Sequence, residues 1–505
     1  MNVFFIPDLI IYMSMMNGEY VLNPDYVFRN DKNRILLYSN NVNDNWKCYI
    51  HPMQAIALSF FRKDNPFSEN IYSFASFFGV SEESAFNIIS PFIENSNFLV
   101  VNLRGNKIKF PPRILVDKKI IGDRSFRSIG LEYFKCSSID LKTRRCLLAP
   151  LSMTLLLTNS CITNCCYCYA DKRPKNIQPL TTERILAIIE EADKLKMKSI
   201  LLIGGEVFLH KDWQMILKCI IDKGIHLRPL STKIPISENV IIGLKKAGFR
   251  STLQLSIDAV DISLLKKMLG VNILYFEQVK AGIQLLDRSD IKYQIVTVIT
   301  KYNTNYSCIK ELFDYLNSLR NIQSWRIAPA FKSAYMDNDS YKNIKASRND
   351  VELLFDRVKK EIVPYSKFDV ILDYNSLNKN FYKGENGCRS FYGGVCSILQ
   401  DEIIVLPDGK VTVCDQLYWN EKFIIGDLAK SSIEEVWNSD RVREILDQKQ
   451  SLVKEASACK KCDIFDSCFA YRCWVDVIKA YGDDNMDYPD PRCIKAPPMI
   501  NDISY

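Results

Sequence analysis

Three cysteines on one short stretch are the residues of this chain best placed for metal chemistry. Cys161, Cys165 and Cys168 form the spacing C-x-x-x-C-x-x-C within TNSCITNCCYCYA, and Cys166 falls outside that spacing. Random placement of 17 cysteines would produce it in roughly one chain of this length in fifty. Three thiolates on one loop can hold three irons of a [4Fe–4S] cube and leave the fourth iron open. The alternatives are a zinc knuckle or unligated thiols, but three ligands do not close a structural zinc site.

A second array of eight cysteines lies near the carboxyl end of the chain. Eight thiolates are enough for two fully ligated [4Fe–4S] cubes. One or two zinc ribbons are the alternative, because C-x-x-C pairs also suit zinc. The region has little hydrophobic periodicity, so something other than a core must hold it together. The eight residues are Cys388, Cys396, Cys414, Cys459, Cys462, Cys468, Cys473 and Cys493.

The balance of cysteine and histidine favours iron–sulfur chemistry over zinc. The chain has 17 cysteines but only three histidines, a thiolate-rich and imidazole-poor ligand set. The apolar N-terminus lacks a basic n-region, carries Pro7 and Asp8 and has no small-residue cleavage site, so it is a poor signal peptide. We therefore expect a cytoplasmic protein, in which reducing conditions argue against a disulfide framework.

Length and charge limit the remaining function classes. A chain of 505 residues is too long for one compact core, which favours two to four domains. The 66 basic and 59 acidic residues give a net charge of only +7. There is no block of like charges and no basic stripe, so no nucleic-acid partner is indicated. No apolar run is long enough to predict a membrane span.

Repeated βα units must position the first cysteine loop. Amphipathic stretches such as Thr182–Leu195 alternate with apolar runs between residues 151 and about 330. This alternation predicts an α/β fold, most simply a curved partial (β/α)6 barrel, with ligands at the carboxyl ends of its strands. The six predicted strands are Met153–Leu157, Ser199–Ile203, Ile225–Leu230, Thr252–Ile257, Lys292–Ile299 and Ser324–Ala328.

The regions on either side of the barrel differ from it in pattern. In residues 1–150, two strands at Tyr20–Arg29 and Arg34–Ser39 precede three short helices, the outline of a winged-helix-like binding domain. The helices are predicted at Pro52–Arg62, at Ile71–Phe78 and after an N-cap at Ser81. Residues 331–385 are polar and predict a helical bridging region, and residues 386–505 form the cysteine-rich domain.

The first motif, with aromatic Tyr167 before its last cysteine, resembles that of the radical S-adenosylmethionine superfamily. The resemblance implies that the open iron binds the amino and carboxylate groups of S-adenosylmethionine. One electron then splits the sulfonium into methionine and a 5′-deoxyadenosyl radical, which abstracts hydrogen from the substrate. It also implies an external electron donor such as flavodoxin or ferredoxin.

The strand ends of the barrel resemble the cofactor-binding positions of that superfamily. Gly204-Gly205-Glu206 is similar to its G-G-E-P motif, which binds the methionine amino group, although Val207 replaces the proline. The family's later arginine corresponds to Leu269, and Lys266 or Lys267 could substitute for it. Ser231, Thr232, Ser256 and Asp258 resemble the positions that contact the ribose and the carboxylate, with strand-end capping as the alternative.

The second array resembles the SPASM extension of radical S-adenosylmethionine enzymes, which implies three [4Fe–4S] clusters in total. The four-residue gap between Cys468 and Cys473 departs from the usual three and leaves the pairing of Cys473 open. Asp415 resembles the general base of the sulfatase-maturing branch, with a solvated loop carboxylate as the alternative. The family pattern implies one cluster on Cys388, Cys396, Cys414 and Cys473, and the other on Cys459, Cys462, Cys468 and Cys493.

Residues 20–102 resemble the PqqD-like peptide-recognition domain of enzymes that modify ribosomally made peptides. The resemblance implies that a leader peptide adds as a strand beside the existing strands. Together the three regions predict a peptide maturase, with a thioether between a cysteine sulfur and a carbon atom as the leading product. Carbon–carbon or carbon–oxygen crosslinking and formylglycine formation are alternatives within this class. A multi-cluster electron carrier without catalysis is the alternative outside it.

Overall fold

The computed structural model describes residues 19–41, 44, 46–61, 65–103, 105–122, 130–171, 177–374, 399–469 and 473–503. It divides into two compact units, Met1–Ala149 and Pro150–Tyr505. Among the helices of these described ranges, none combines the length and the apolar character that crossing a bilayer would require.

The first unit is β-rich and places three helices between strands. Its strands are β1 Tyr20–Leu22, β2 Tyr26–Asn30, β3 Ile35–Ser39, β4 Lys47–Ile50, β5 Leu99–Leu103, β6 Asn106–Phe110 and β7 Leu115–Asp117, and its helices are α1 Pro52–Ser59, α2 Phe67–Phe78, α3 Glu82–Ile89 and α4 Lys118–Ile121. Strands β2, β3 and β4 form an antiparallel sheet in that order, β1 pairs with β7, and β5 pairs with β6. Three helices followed by a β-hairpin match the order of a winged helix.

Local signals explain where these elements begin and end. Pro52 occupies the first turn of α1, where its missing N–H costs nothing. Ser81 caps α3 by accepting a hydrogen bond from the backbone of Ser84. The predicted strand Tyr20–Arg29 is broken into β1 and β2 because Asn23 accepts a hydrogen bond from the backbone N–H of Asp25 and turns the chain.

A buried ion cluster fastens the β2–β3 turn to the last residues of the first unit. The side chains of Arg29, Asp31 and Arg34 are at most 1% exposed. The Asp31 carboxylate accepts Arg34 Nε at 3.0 Å and the backbone N–H groups of Leu147 and Leu148 at 2.9 Å. Arg29 donates to the backbone oxygen of Ala149 at 2.8 Å. These contacts link positions more than 100 residues apart, so spacing along the chain does not reveal them.

The second unit carries the predicted parallel strands. They are β8 Ser152–Leu156, β9 Ser199–Ile203, β10 His226–Leu227, β11 Leu230–Thr232, β12 Leu253–Ser256, β13 Tyr293–Ile299, β14 Ile322–Pro329 and β15 Asp369–Leu372. Strands β8, β9 and β10 are parallel neighbours, and β11 to β15 form a second parallel series. The third predicted strand is therefore split between β10 and β11, where one series ends and the other begins.

Amphipathic helices connect these strands as the periodicity predicts. In α5, Ile185, Ile188, Ile189 and Ala192 are all buried, which is the apolar face seen in the sequence. The helices of this part are α5 Thr182–Lys194, α6 Trp213–Asp222, α7 Glu238–Lys246, α8 Ile262–Leu269, α9 Tyr275–Asp287 and α10 Tyr306–Asn317.

Residues beyond 330 add a parallel strand to each of the two series. In the predicted bridge, helices α11 Asn338–Ile344 and α12 Arg348–Glu361 precede β15, which pairs in parallel with β14. In the cysteine-rich region, the apolar run of β16 Glu402–Val405 pairs in parallel with β8. Strands β17 Lys410–Thr412 and β18 Ile424–Asp427 follow, then helices α13 Ile433–Trp437, α14 Asp440–Leu446, α15 Phe465–Phe469 and α16 Trp474–Tyr481.

Candidate cofactor and cluster site

The first cysteine loop follows the carboxyl end of β8 and is fixed by a neighbouring helix. The backbone N–H groups of Asn164 and Cys166 donate to the oxygens of Leu269 and Met268 at 2.7 and 2.8 Å. Those oxygens belong to the last turn of α8, whose carbonyl groups have no partner within the helix. Gly270 ends the helix in the left-handed conformation. The loop therefore satisfies the end of α8, which holds the loop in place.

The three sulfurs of this loop lie in a partly accessible position. Cys161 is exposed, and Cys165 and Cys168 are half-buried. The Thr163 hydroxyl lies 3.3 Å from the sulfurs of both Cys161 and Cys165. In the described ranges, no group of three or more Cys, His, Asp or Glu side chains is arranged to hold a metal ion. The exposed Cys161 and the half-buried Cys165 and Cys168 lie on one short loop that solvent reaches.

The glycine pair at the end of β9 packs against the chain that leads into the cysteine loop. The N–H of Gly205 donates to the backbone oxygen of Thr158 at 2.8 Å. A Cβ atom at Gly204 would lie 2.4 Å from that oxygen, and one at Gly205 would lie 2.2 Å from the backbone oxygen of Ser160. Any side chain at these positions would push the backbone apart. Close approach of two backbones is what requires both glycines.

The Glu206 carboxylate links the ends of β9 and β11. It is buried, and it accepts the Thr232 hydroxyl at 2.9 Å and the backbone N–H of Lys233 at 3.0 Å. Burial raises the pKa of Glu206 above its ordinary value. The implied contact with the methionine amino group stays a prediction, since the carboxylate already has protein partners on both oxygens.

The Asp258 carboxylate contacts both the cysteine loop and residues at the ends of neighbouring strands. Its side chain is fully buried, and it accepts the hydroxyl of Tyr167 and, at 2.9 Å, the backbone N–H of Val298. The ammonium group of Lys233 lies 3.3 Å from the same carboxylate and 2.9 Å from the Tyr167 hydroxyl. Burial lowers the pKa of Lys233, but Asp258 and Cys165 outweigh it, so the pKa stands above its usual value.

The positively charged side chain beside the loop is therefore Lys233, and not Lys266 or Lys267, which the sequence suggested. Leu269 is fully buried and contributes only its backbone oxygen to the loop. Lys266 and Lys267 are exposed on α8, and Lys267 lies over the ring of Tyr302 at 3.9 Å. Lys233 was missed, although it directly follows the strand-end pair Ser231-Thr232.

Ser231 and Thr232 turn to opposite faces, as neighbours on a strand must. The Ser231 hydroxyl accepts Gln254 at 3.1 Å, and Gln254 in turn accepts Gln294 at 3.0 Å. This ladder crosses β11, β12 and β13. Thr232 instead reaches Glu206, while Ser256 is half-buried at the end of β12. The structure thus brings Thr232 together with Glu206, and Ser231 with a separate polar row.

Asn303 is a further residue that sequence reasoning missed. Its buried amide nitrogen donates to the backbone oxygens of Asp258 at 3.0 Å and Val298 at 2.9 Å. Its oxygen accepts the backbone N–H of Thr300 at 2.7 Å. These bonds hold the ends of β12 and β13 together and fix the backbone that carries Asp258. Nothing in the local sequence marks this asparagine.

Several of the second-array cysteines are neighbours in pairs. Cys414 and Cys473 are close enough that, after burial and Asp415, Cys473 also raises the pKa of the Cys414 thiol. Cys462 and Cys493 both approach Lys495, whose ammonium lies 3.7 Å from the first sulfur and whose N–H lies 3.4 Å from the second. Cys388 and Cys396 lie outside the described residues, and Cys459 and Cys468 are half-buried nearby in sequence.

Asp415 is a half-buried carboxylate that contacts residues next to both cysteine groups of this unit. Burial raises the pKa of Asp415, and hydrogen bonds from Cys414 and Tyr169 oppose the shift. Tyr169 directly follows Cys168. The residue after a cysteine of the first array thus bonds to the residue after a cysteine of the second. The Asp415 carboxylate accepts a hydrogen bond from the Cys414 thiol at 3.5 Å.

Comparison with protein families identifies two domains in the chain. The radical SAM superfamily matches residues 155–316, and the SPASM iron–sulfur cluster-binding domain matches residues 396–463. Both matches fall in the second unit. The first covers the cysteine loop, the glycine pair, Glu206, Lys233 and Asp258.

Curated relatives are distant in sequence. The mycofactocin maturase MftC of Mycolicibacterium smegmatis is 21% identical over 356 residues, which is 69% of this chain and 83% of that protein. A probable GTP 3′,8-cyclase of Sulfolobus acidocaldarius is 23% identical over 306 residues, covering 58% of this chain and 89% of the relative.

Among solved structures, Streptococcus suis SuiB shares the fold over nearly the whole chain. The SuiB structure with bound S-adenosylmethionine has a TM-score of 0.61 at 16% identity and covers 94% of this chain and 99% of SuiB. The structure of SuiB with its precursor peptide SuiA has a TM-score of 0.58, also at 16% identity, and covers 93% and 98%.

Proposed function

We propose that this chain, a radical S-adenosylmethionine superfamily enzyme with a SPASM domain, installs a thioether crosslink in a ribosomally made peptide. The observation that carries the proposal is the cysteine loop at the end of β8. The loop is hydrogen-bonded to the end of α8 and lies beside the buried residues Glu206 and Asp258 and the half-buried Lys233. A cluster on this loop would supply the electron that splits S-adenosylmethionine and so starts hydrogen abstraction. Cys161, Cys165 and Cys168 would hold it.

A peptide substrate is supported by the fold of both units. SuiB, which shares the fold over 93% of this chain in its peptide complex, was crystallised with a precursor peptide. The first unit has a three-stranded sheet in which β3 is central, so β2 and β4 are its edges in the described part of the chain. A leader peptide could add to such an edge through backbone hydrogen bonds.

The electron count gives the second cysteine array a use. Joining a cysteine sulfur to carbon removes one hydrogen atom from the carbon, one proton from the thiol and one electron. 5′-Deoxyadenosine carries away the hydrogen atom, and the electron needs an acceptor. Auxiliary clusters on the second array would accept it, and Asp415, whose carboxylate lies 3.5 Å from the Cys414 sulfur, would take the proton. Three clusters in total and these ligand assignments are part of the proposal.

Mass spectrometry of a co-expressed peptide tests the product. The substrate to try is a short cysteine-rich precursor encoded beside the gene, with the Cys165→Ala variant as the inactive control. A thioether predicts the loss of two hydrogens per link and thiols that no longer react with iodoacetamide. The same mass loss with all thiols still reactive would indicate a carbon–carbon or carbon–oxygen link, and loss of sulfur would indicate formylglycine. Either result would contradict thioether formation.

We predict that Asp415→Asn separates cofactor cleavage from crosslinking. The amide cannot accept the proton, so product formation should fall by about 100-fold or more while 5′-deoxyadenosine release continues. The ratio of 5′-deoxyadenosine to crosslinked peptide, measured by chromatography, would rise accordingly.

The matched control for this variant is Asp463→Asn. Asp463 also directly follows a cysteine of the second array, but it is exposed and pairs with Lys495 at 3.2 Å. The control should leave the ratio unchanged. Equal losses of 5′-deoxyadenosine and crosslinked product in Asp415→Asn would mean that Asp415 only supports the structure.

A further inference from the structure

Lys233 is held in place by its backbone as well as by its side chain. Its N–H donates to Glu206 at 3.0 Å, and its carbonyl accepts the Tyr275 hydroxyl at 2.7 Å. Because both bonds come from the main chain, a replacement side chain would leave them intact. Lys233 is therefore held directly after the end of β11, next to Ser231 and Thr232, which the sequence predicts to contact the cofactor.

The ammonium group of Lys233 points at the cysteine loop. It is 2.9 Å from the hydroxyl of Tyr167, which lies between Cys165 and Cys168, and 3.3 Å from Asp258. Its side chain is only 14% exposed. Tyr167 also bonds to Asp258, so three side chains form one closed network under the loop. In such a network, the buried carboxylate of Asp258 and the half-buried ammonium of Lys233 fix each other's position.

The charges of the site call for a cation at this point. The Asp258 carboxylate already brings one negative charge into this region, and the α-carboxylate of S-adenosylmethionine would add another. Without a nearby cation this carboxylate would be repelled and poorly solvated. The lysines of α8 are exposed, and Lys267 is engaged with Tyr302. Of these three lysines, Lys233 is the one whose ammonium contacts the loop, through the Tyr167 hydroxyl.

We propose that Lys233 binds the carboxylate of S-adenosylmethionine, and that Tyr167 and Asp258 are positioning residues that aim its ammonium group. The inference rests on the proposed cofactor chemistry but not on the peptide or the bond formed. An ammonium has three donors, so it can hold Tyr167 and Asp258 and still offer a hydrogen bond to an incoming carboxylate. A hydrogen bond between charged groups in a shielded site contributes strongly to affinity.

A double-mutant cycle between protein and ligand tests this contact directly. The proteins are the anaerobically reconstituted wild type and Lys233→Met, and the ligands are S-adenosylmethionine and its decarboxylated analogue. Equilibrium dialysis gives the four dissociation constants without peptide or turnover. We expect Lys233→Met to weaken the binding of S-adenosylmethionine about 10- to 100-fold and the binding of the analogue by no more than about threefold. Lys233→Arg should retain most of the affinity, and Lys267→Met should match the wild type.

The same measurements separate the possible failures. Equal weakening of both ligands by Lys233→Met, or no weakening of either, would overturn the proposal. If the single variant loads iron poorly, Lys233→Met/Asp258→Asn removes the buried pair together, and the same loss of discrimination between the two ligands is expected. A wild-type protein that binds neither ligand would refute the cofactor assignment itself, whereas binding without peptide modification would refute only the thioether.

Discussion

Cys165→Ala is expected to abolish cleavage of S-adenosylmethionine and to remove one cluster from the protein. Two remaining thiolates cannot hold three irons of a cube, so the iron content should fall from about twelve to about eight atoms per chain. Release of 5′-deoxyadenosine in the presence of dithionite should drop below detection. Iron analysis and chromatography on anaerobically purified protein measure both effects.

The neighbouring cysteine provides a matched control. Cys166 lies next to Cys165. Its backbone N–H, and not its side chain, donates the hydrogen bond to the oxygen of Met268 at the end of α8. Cys166→Ala should therefore keep the full iron content and cofactor cleavage. Should Cys165→Ala retain twelve irons and release 5′-deoxyadenosine, or should the wild type contain zinc and no iron, the loop would not be the cofactor site.

Asp31→Ala is expected to cause the largest loss of stability in the first unit. The variant removes the buried carboxylate that pairs with Arg29 and Arg34 and that accepts the N–H groups of Leu147 and Leu148. Breaking a buried ion pair from one side costs about 3–5 kcal/mol. Hydrogen exchange in the full chain should show protection at residues 147 and 148 reduced by about 100-fold or more.

A surface ion pair of the same unit serves as the comparison. Glu132 pairs with Lys135 at 2.6 Å, but both side chains are at least 75% exposed. Glu132→Ala should cost less than about 1 kcal/mol, because exposed pairs are screened by water. Unchanged protection of residues 147 and 148 in Asp31→Ala would show that the ion cluster does not hold this segment.

Patterns local in sequence were enough to predict the α/β fold and most of its parallel strands. A period of two or of 3.6 residues reports which side of a strand or helix is buried, so strands β8, β9, β12, β13 and β14 and helix α5 were predicted closely. The third predicted strand is instead split between β10 and β11. The spacing of Cys161, Cys165 and Cys168 specifies one short loop with three thiolates. The structure differs from the predicted elements where a single turn interrupts one, as at Asn23, which breaks the first predicted strand.

Contacts between distant strand ends were decided only by the tertiary structure. Tyr167, Lys233 and Asp258 lie on three different βα connections, and no spacing along the chain shows that they meet. For the same reason the sequence suggested the lysines of α8, which share a helix with Leu269 but face solvent. The ion cluster around Asp31 likewise joins segments that only folding brings together. The sequence determined which residues could do the chemistry. Folding determined which of them meet, because long-range packing, not local periodicity, sets the neighbours of a buried charge.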